Sequence, residues 1–149
     1  MPSLAAENQI VNTPGYTLWR EPALLYVKLA GDVADAESVA WRAAVDAHLQ
    51  TAGVPPFMIL DVCEANATST MPGRMRTAAW ARALLKKVRE GVIYTGDNGG
   101  QTDPRQNQRA QTSFVIRALL RLVGMANVSI VGDPAALDAT YERYRRELT

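Results

Sequence analysis

A chain of 149 residues, 48% of them hydrophobic and 21% charged, has the size and composition of one globular domain and is too apolar to be intrinsically disordered. Its formal net charge of +1 argues against a surface built wholly for nucleic acid. One cysteine, Cys63, excludes an internal disulfide, and one cysteine with one histidine, His48, excludes a closed zinc site that needs a full set of such ligands.

The start of the chain lacks a basic segment followed by an apolar run. No stretch approaches the roughly 18 uninterrupted apolar residues of a membrane span, so a cytoplasmic protein is expected. Residues 1–15 are polar, punctuated by proline and without either period, and read as a loose arm ahead of a domain over 16–149. Residues 16–20 are β-prone, Glu21 and Pro22 signal a turn, and 24–30 alternate with Leu25, Val27 and Leu29 on one face, which predicts a β-hairpin. Asp35 is placed to cap a helix reaching about Ala52, with Val39, Ala43 and Ala47 as its apolar stripe and Gly53 as its stop. After Pro55 and Pro56, residues 57–62 form an almost unbroken apolar run closing on Asp61, as a central strand covered on both faces requires.

Residues 64–70 are small and polar, and Ser69 or Thr70 can cap a second helix running to about Arg89 through Ala78, Ala81, Leu85 and Val88. A short strand over 92–95 follows, and then 96–106, rich in Gly, Asn, Asp and Pro, reads as an exposed loop. Residues 108–123 read as a third helix with Val115, Ala118, Leu119 and Leu122 inward, closed by Gly124. The last strand is expected over 128–131, and Pro134 opens a terminal helix that ends in the mixed-charge run 141–148. The order β-β-α-β-α-β-α-β-α predicts a single α/β domain: a mixed, mostly parallel sheet with an N-terminal β-hairpin, flanking helices and right-handed crossovers.

Three stretches carry a family likeness: Leu29-Ala30-Gly31-Asp32-Val33 before the first helix, Ile59-Leu60-Asp61-Val62 in the central strand, and Leu119-Leu120-Arg121-Leu122-Val123-Gly124-Met125 before the last strand. Together with the element order over 16–144, they resemble the STAS domain of bacterial anti-sigma factor antagonists and its SpoIIAA-like relatives. That resemblance implies a non-catalytic signalling module that binds a protein partner. In regulated members a kinase-like partner phosphorylates a serine in an Asp-Ser-Ser-Gly turn before the second helix. Here the matching stretch is Ser69-Thr70-Met71-Pro72-Gly73, with hydroxyls but no leading aspartate.

Ser69 and Thr70 are therefore candidate phosphoacceptors, since a phosphate there would face the free N–H groups and positive dipole of a helix start; simple N-capping explains the same residues. Arg74, Arg76, Arg82, Lys86, Lys87 and Arg89 follow with no acid among them, and Arg74, Arg76 and Arg82 are the candidate partner-binding residues, a solvated charged face being the alternative. Phe114, Ile116 and Leu120 widen the apolar surface of the third helix. They mark a groove for a hydrophobic or lipid-like ligand, a homodimer contact, or burial under the last helix. His48 has no nucleophile near it in sequence, Cys63 reads as an inert thiol, and Gly96-Asp97-Asn98-Gly99-Gly100 matches neither phosphate-binding fingerprint. No catalytic residues, metal or cofactor are expected.

Overall fold

The computed structural model describes residues 2–97, 106–124 and 126–147. The strands are β1 (Gln9–Asn12), β2 (Tyr16–Glu21), β3 (Leu24–Val33), β4 (Phe57–Ala67), β5 (Glu90–Tyr94) and β6 (Val128–Val131). The helices are α1 (Asp35–Ala52), α2 (Met71–Leu85), α3 (Gln106–Val123) and α4 (Pro134–Arg146). All six strands form one sheet whose spatial order is the chain order. The first three are antiparallel, and β3 to β6 are parallel.

Each parallel crossover steps in the same direction, so crossovers of one hand lay α1, α2 and α3 on the same face. The core agrees: Trp41 and Val45 of α1, Leu84 of α2 and Ile116 of α3 all pack with Leu25, Val27 and Leu29. On the opposite face, Leu137, Tyr141 and Tyr144 of α4 cover Tyr26, Phe57 and Ile59, with Tyr144 stacked on Phe57 at 4.2 Å. The fold is the mixed, mostly parallel α/β domain expected from the sequence.

Several local expectations are corrected. Residues 6–12, read as unpaired, form a 3-10 turn (Ala6–Asn8) and the edge strand β1, whose Val11 pairs with Leu18. Four residues are too few to show a period in sequence. Asp35 does not cap α1: Ala34 holds the N-cap position without a side-chain bond, and the Asp35 carboxylate reaches α2 instead. The buried stripe of α1 is Ser38, Trp41 and Val45, whereas Val39, Ala43 and Ala47 face outward, because burying an indole and Val45 removes more apolar area from water than burying the smaller set.

Strand β4 continues past Asp61 to Ala67. An extra residue on β4 opposite Lys28 and Ala30 forms a bulge, after which Gly31, Asp32 and Val33 pair with Ala65, Asn66 and Ala67. Helix α2 stops at Leu85, where Asn127 Nδ2 donates to the carbonyls of Leu85 and Val88, so Lys86, Lys87 and Arg89 follow the helix and are not part of it. Ala118 is exposed, not inward; the side chains of Leu119 and Leu122 and the loop 98–105 lie outside the described residues. Gly96, read as exposed, is buried, with φ +70.

Candidate functional site

The end of β4 delivers Ser69 and Thr70 to the head of α2. Thr70 is its N-cap: the hydroxyl accepts from the Gly73 N–H at 3.2 Å, and Pro72 in the first turn has no N–H to leave unpaired. Thr70 also donates twice to Asp35 in the first turn of α1, its N–H to Oδ1 at 2.9 Å and its hydroxyl to Oδ2. The turn that lacks a leading aspartate thus receives a carboxylate from another helix, at the positive end of α2. Those hydrogen bonds, then the charges of Arg76 and Arg74, hold the Asp35 carboxyl below its ordinary range. A Cβ on Gly73 would overlap this carboxylate, so the Asp35 side chain could not keep its place beside Thr70 with any other residue there.

Ser69 is half-buried and its Oγ accepts from Arg74 Nε at 3.3 Å. Arg74 and Arg76 stand roughly 160° apart round α2, with Arg82 roughly 120° from Arg76 and roughly 80° from Arg74. Arg74 turns toward α3, while Arg76 and Arg82 are exposed. Arg74 and Arg76 therefore face different sides of α2. Exposed near the Asp35–Thr70 clamp are the apolar Val39 (56% exposed), Met71 (58%) and Met75 (41%), together with the charged Glu37 and Arg76.

Between α1, α2, α3 and the sheet lies a cavity of about 130 Å³. Its apolar wall includes Leu29, Trp41, Leu60, Val62, Val115 and Ile116; Ser38, Ser69, Arg74, Thr77 and Thr112 supply the polar part. A polar hollow of about 230 Å³ adjoins it, sharing Arg74, Thr112 and Val115 and adding Asn66, Thr68, Gln108 and Gln111. A smaller void of about 60 Å³ lies deeper, walled by Trp41, Trp80, Leu84, Leu85 and the sheet. Its lining is apolar apart from the indole groups of Trp41 and Trp80. Trp41 and Trp80 meet edge to face at 5.2 Å, Trp80 Nε1 donates to Asp46, and among the described residues Trp41 Nε1 has no hydrogen-bond partner.

The structure thus joins two sets that the sequence kept apart: Ser69 and Arg74 line the same cavity as Ile116. It separates others. Phe114 (74% exposed) stands roughly 200° round α3 from Ile116, while Leu120, half-buried, stays within roughly 40° of it.

His48 and Cys63 lie on opposite sides of the sheet. Arg20, on the α1 side, holds His48 Nε2 at 3.2 Å and donates to the Gly53 carbonyl, whereas Cys63 packs against the α4-side core. Burial, then the Asp61 charge, pushes the Cys63 thiol up, away from the thiolate a nucleophile needs. Sequence reasoning missed the fully buried Asp61, which accepts from the Tyr26 hydroxyl at 2.7 Å and from the Cys63 N–H that the bulge frees. Among the described residues no cluster of three or more His, Cys, Asp or Glu could hold a metal, and no helix is long and apolar enough to cross a membrane.

No protein-family model matches the chain, and no curated protein matches it in sequence. Solved structures do match in fold. The anti-sigma factor antagonist SpoIIAA in its unphosphorylated form superposes with a TM-score of 0.54 at 8% identity, over 87% of this chain and 98% of its own. An uncharacterised DUF3478 protein with a SpoIIAA-like fold, from Shewanella loihica, gives a TM-score of 0.52 at 14% identity, over 87% and 97%. This chain has the SpoIIAA-like, STAS-like fold. At these identities the likeness is one of architecture.

Proposed function

We propose that the protein is a non-catalytic regulatory module that docks a protein partner through the heads of α1 and α2. One observation carries this reading. Of the six exposed large hydrophobic side chains among the described residues, three (Val39, Met71 and Met75) flank the Asp35–Thr70 clamp, with exposed Arg76 beside them. Methionines adapt to varied partner surfaces, and an apolar centre with a charged rim is the anatomy of an interface. The shared architecture with an anti-sigma factor antagonist supports the class of function. Arg74, turned inward, is a lesser contact than Arg76, and Arg82 sits at the margin.

Control by a kinase-like partner fits Ser69 better than Thr70. A phosphoryl group on Ser69 would meet Arg74, while one on Thr70 would be forced against Asp35. The docking reading is tested by affinity capture from the source cells with wild type, the double variant Met75→Asp/Arg76→Glu, and a remote control, Val54→Asp. The expected result is a partner retained by wild type and control and lost from the double variant. Equal capture by all three overturns the docking surface.

A second reading, a carrier or sensor of a small hydrophobic ligand, is favoured by the mainly apolar 130 Å³ cavity beneath α1, α2 and α3.

A further inference from the structure

We propose that the outer side of α2 and α3, away from the α2 head, is a docking surface for an anionic lipid bilayer, on which the protein rests peripherally. Charge is the first observation. Residues 71–89 and 106–123 hold nine of the sixteen Lys and Arg and none of the fifteen Asp and Glu, so the remainder of the chain is acidic although the whole carries only +1. Helices α2 and α3 cover the same face of the sheet and, as crossovers between parallel strands, run in the same direction.

Position is the second observation. Arg82 and Lys86, at the end of α2, stand within roughly 40° of each other, and Phe114, Arg117 and Arg121 lie within an arc of roughly 60° on α3. All five are exposed, and Phe114, at 74%, is the most exposed large hydrophobic side chain among the described residues. Arg117 donates through Nε to Ser113 Oγ at 3.3 Å. Among the described residues none of these four cations is in an ion pair, whereas Lys28, Arg89, Arg143 and Arg145 each meet a carboxylate.

The mixture of groups selects the occupant. Cations with no acid between them attract an anionic surface, and screening over about 8 Å keeps the acids of α4, on the far face of the sheet, from cancelling that attraction. A solvated charged face gains nothing from a phenyl ring. At a bilayer the ring enters the boundary between headgroups and acyl chains while the long cations reach the phosphates. A folded protein partner needs a complementary shape, and duplex nucleic acid would use the cations alone; a fluid bilayer conforms to the outer side of two helices and takes both kinds of group. This surface is separate from the heads of α1 and α2 and does not depend on the protein partner proposed there.

Vesicle co-sedimentation of the full chain at one fixed low salt concentration tests the proposal. The vesicles are phosphatidylcholine alone and an equimolar mixture of phosphatidylcholine and phosphatidylserine. Wild type is expected to bind the mixed vesicles and not the neutral ones. Arg117→Gln/Arg121→Gln is expected to lower partitioning at least about tenfold, and Phe114→Ser at least about threefold. Gln9→Glu/Gln50→Glu, at exposed positions off α2 and α3, makes the same change in net charge and is expected to retain binding. Equal losses in the two charge-matched variants, or unchanged binding by Phe114→Ser, overturn the assignment of this surface. Binding to duplex DNA or polyglutamate at the same salt, with none to the mixed vesicles, overturns the bilayer as occupant. Should a variant fail to fold, wild type decides alone: equal binding to both kinds of vesicle, or to neither, overturns the proposal.

Discussion

Thr70 serves two helices at once. Its hydroxyl oxygen accepts from the first turn of α2 while its proton goes to Asp35 of α1, so any group added to that oxygen removes the cap and places new charge on a carboxylate. Ser69, one residue earlier, is bonded to no acid among the described residues and is held by Arg74. The two hydroxyls looked equivalent in sequence because the residue that distinguishes them lies 35 positions before Thr70. Thr70→Ala is expected to cost about 1 kcal/mol through the lost cap. Thr70→Glu is expected to cost more than Thr70→Ala, and Ser69→Glu to stay within about 0.5 kcal/mol of wild type, with urea unfolding as the measure. A Ser69→Glu variant less stable than Thr70→Glu would remove the distinction between the two sites.

Strands and helices of this chain were legible wherever a period lasted long enough. Leu25, Val27 and Leu29 on one face of β3, the apolar run opening β4, and Gly124, whose φ of +65 ends α3, all stand as the pattern implied. Competition within one element was not legible. Two stripes of α1 are apolar, and only the sheet beneath it decides that Trp41 and Val45 go in while Val39 stays out. The cavity was even less so, since it arises from three helices sharing a face, and Ser69, Arg74 and Ile116 become neighbours only through that shared packing. The side of α1 that bears the load is open to test. Val45→Ala is expected to lower stability by about 2 kcal/mol, from lost burial plus the hole left behind, and Val39→Ala by less than about 0.5 kcal/mol. Comparable losses at both positions would place α1 in another rotation on the sheet.

Across the whole molecule, carboxyl groups pull stability in opposite directions with pH. Asp35, bonded by Thr70, and Glu90, bonded by Arg143, have pKa values lowered by folding; the stability they add is present above the ordinary carboxylate range and is lost as pH falls through their folded values. Asp61 works the other way. Burial, only partly offset by the bonds from Tyr26 and the Cys63 N–H, raises its pKa, so its contribution is greatest below the ordinary carboxylate value and is lost as pH rises through the folded one. An amide of the same shape stays neutral at every pH. The stability of Asp61→Asn relative to wild type should therefore climb as pH is raised from the ordinary carboxylate range through the raised folded value. Urea unfolding at fixed ionic strength across that range measures it. A difference that stays flat would mean that Asp61 ionises in the fold as easily as in water, and that its two donors offset burial in full. The sign matters for the architecture, because Asp61 sits midway along β4 beneath the bulge that extends this strand to Ser69 and Thr70. The same acid that makes the sheet sensitive to alkali satisfies the N–H freed where the strand changes register, which ties the placing of the α2 head to a buried charge on the far side of the sheet.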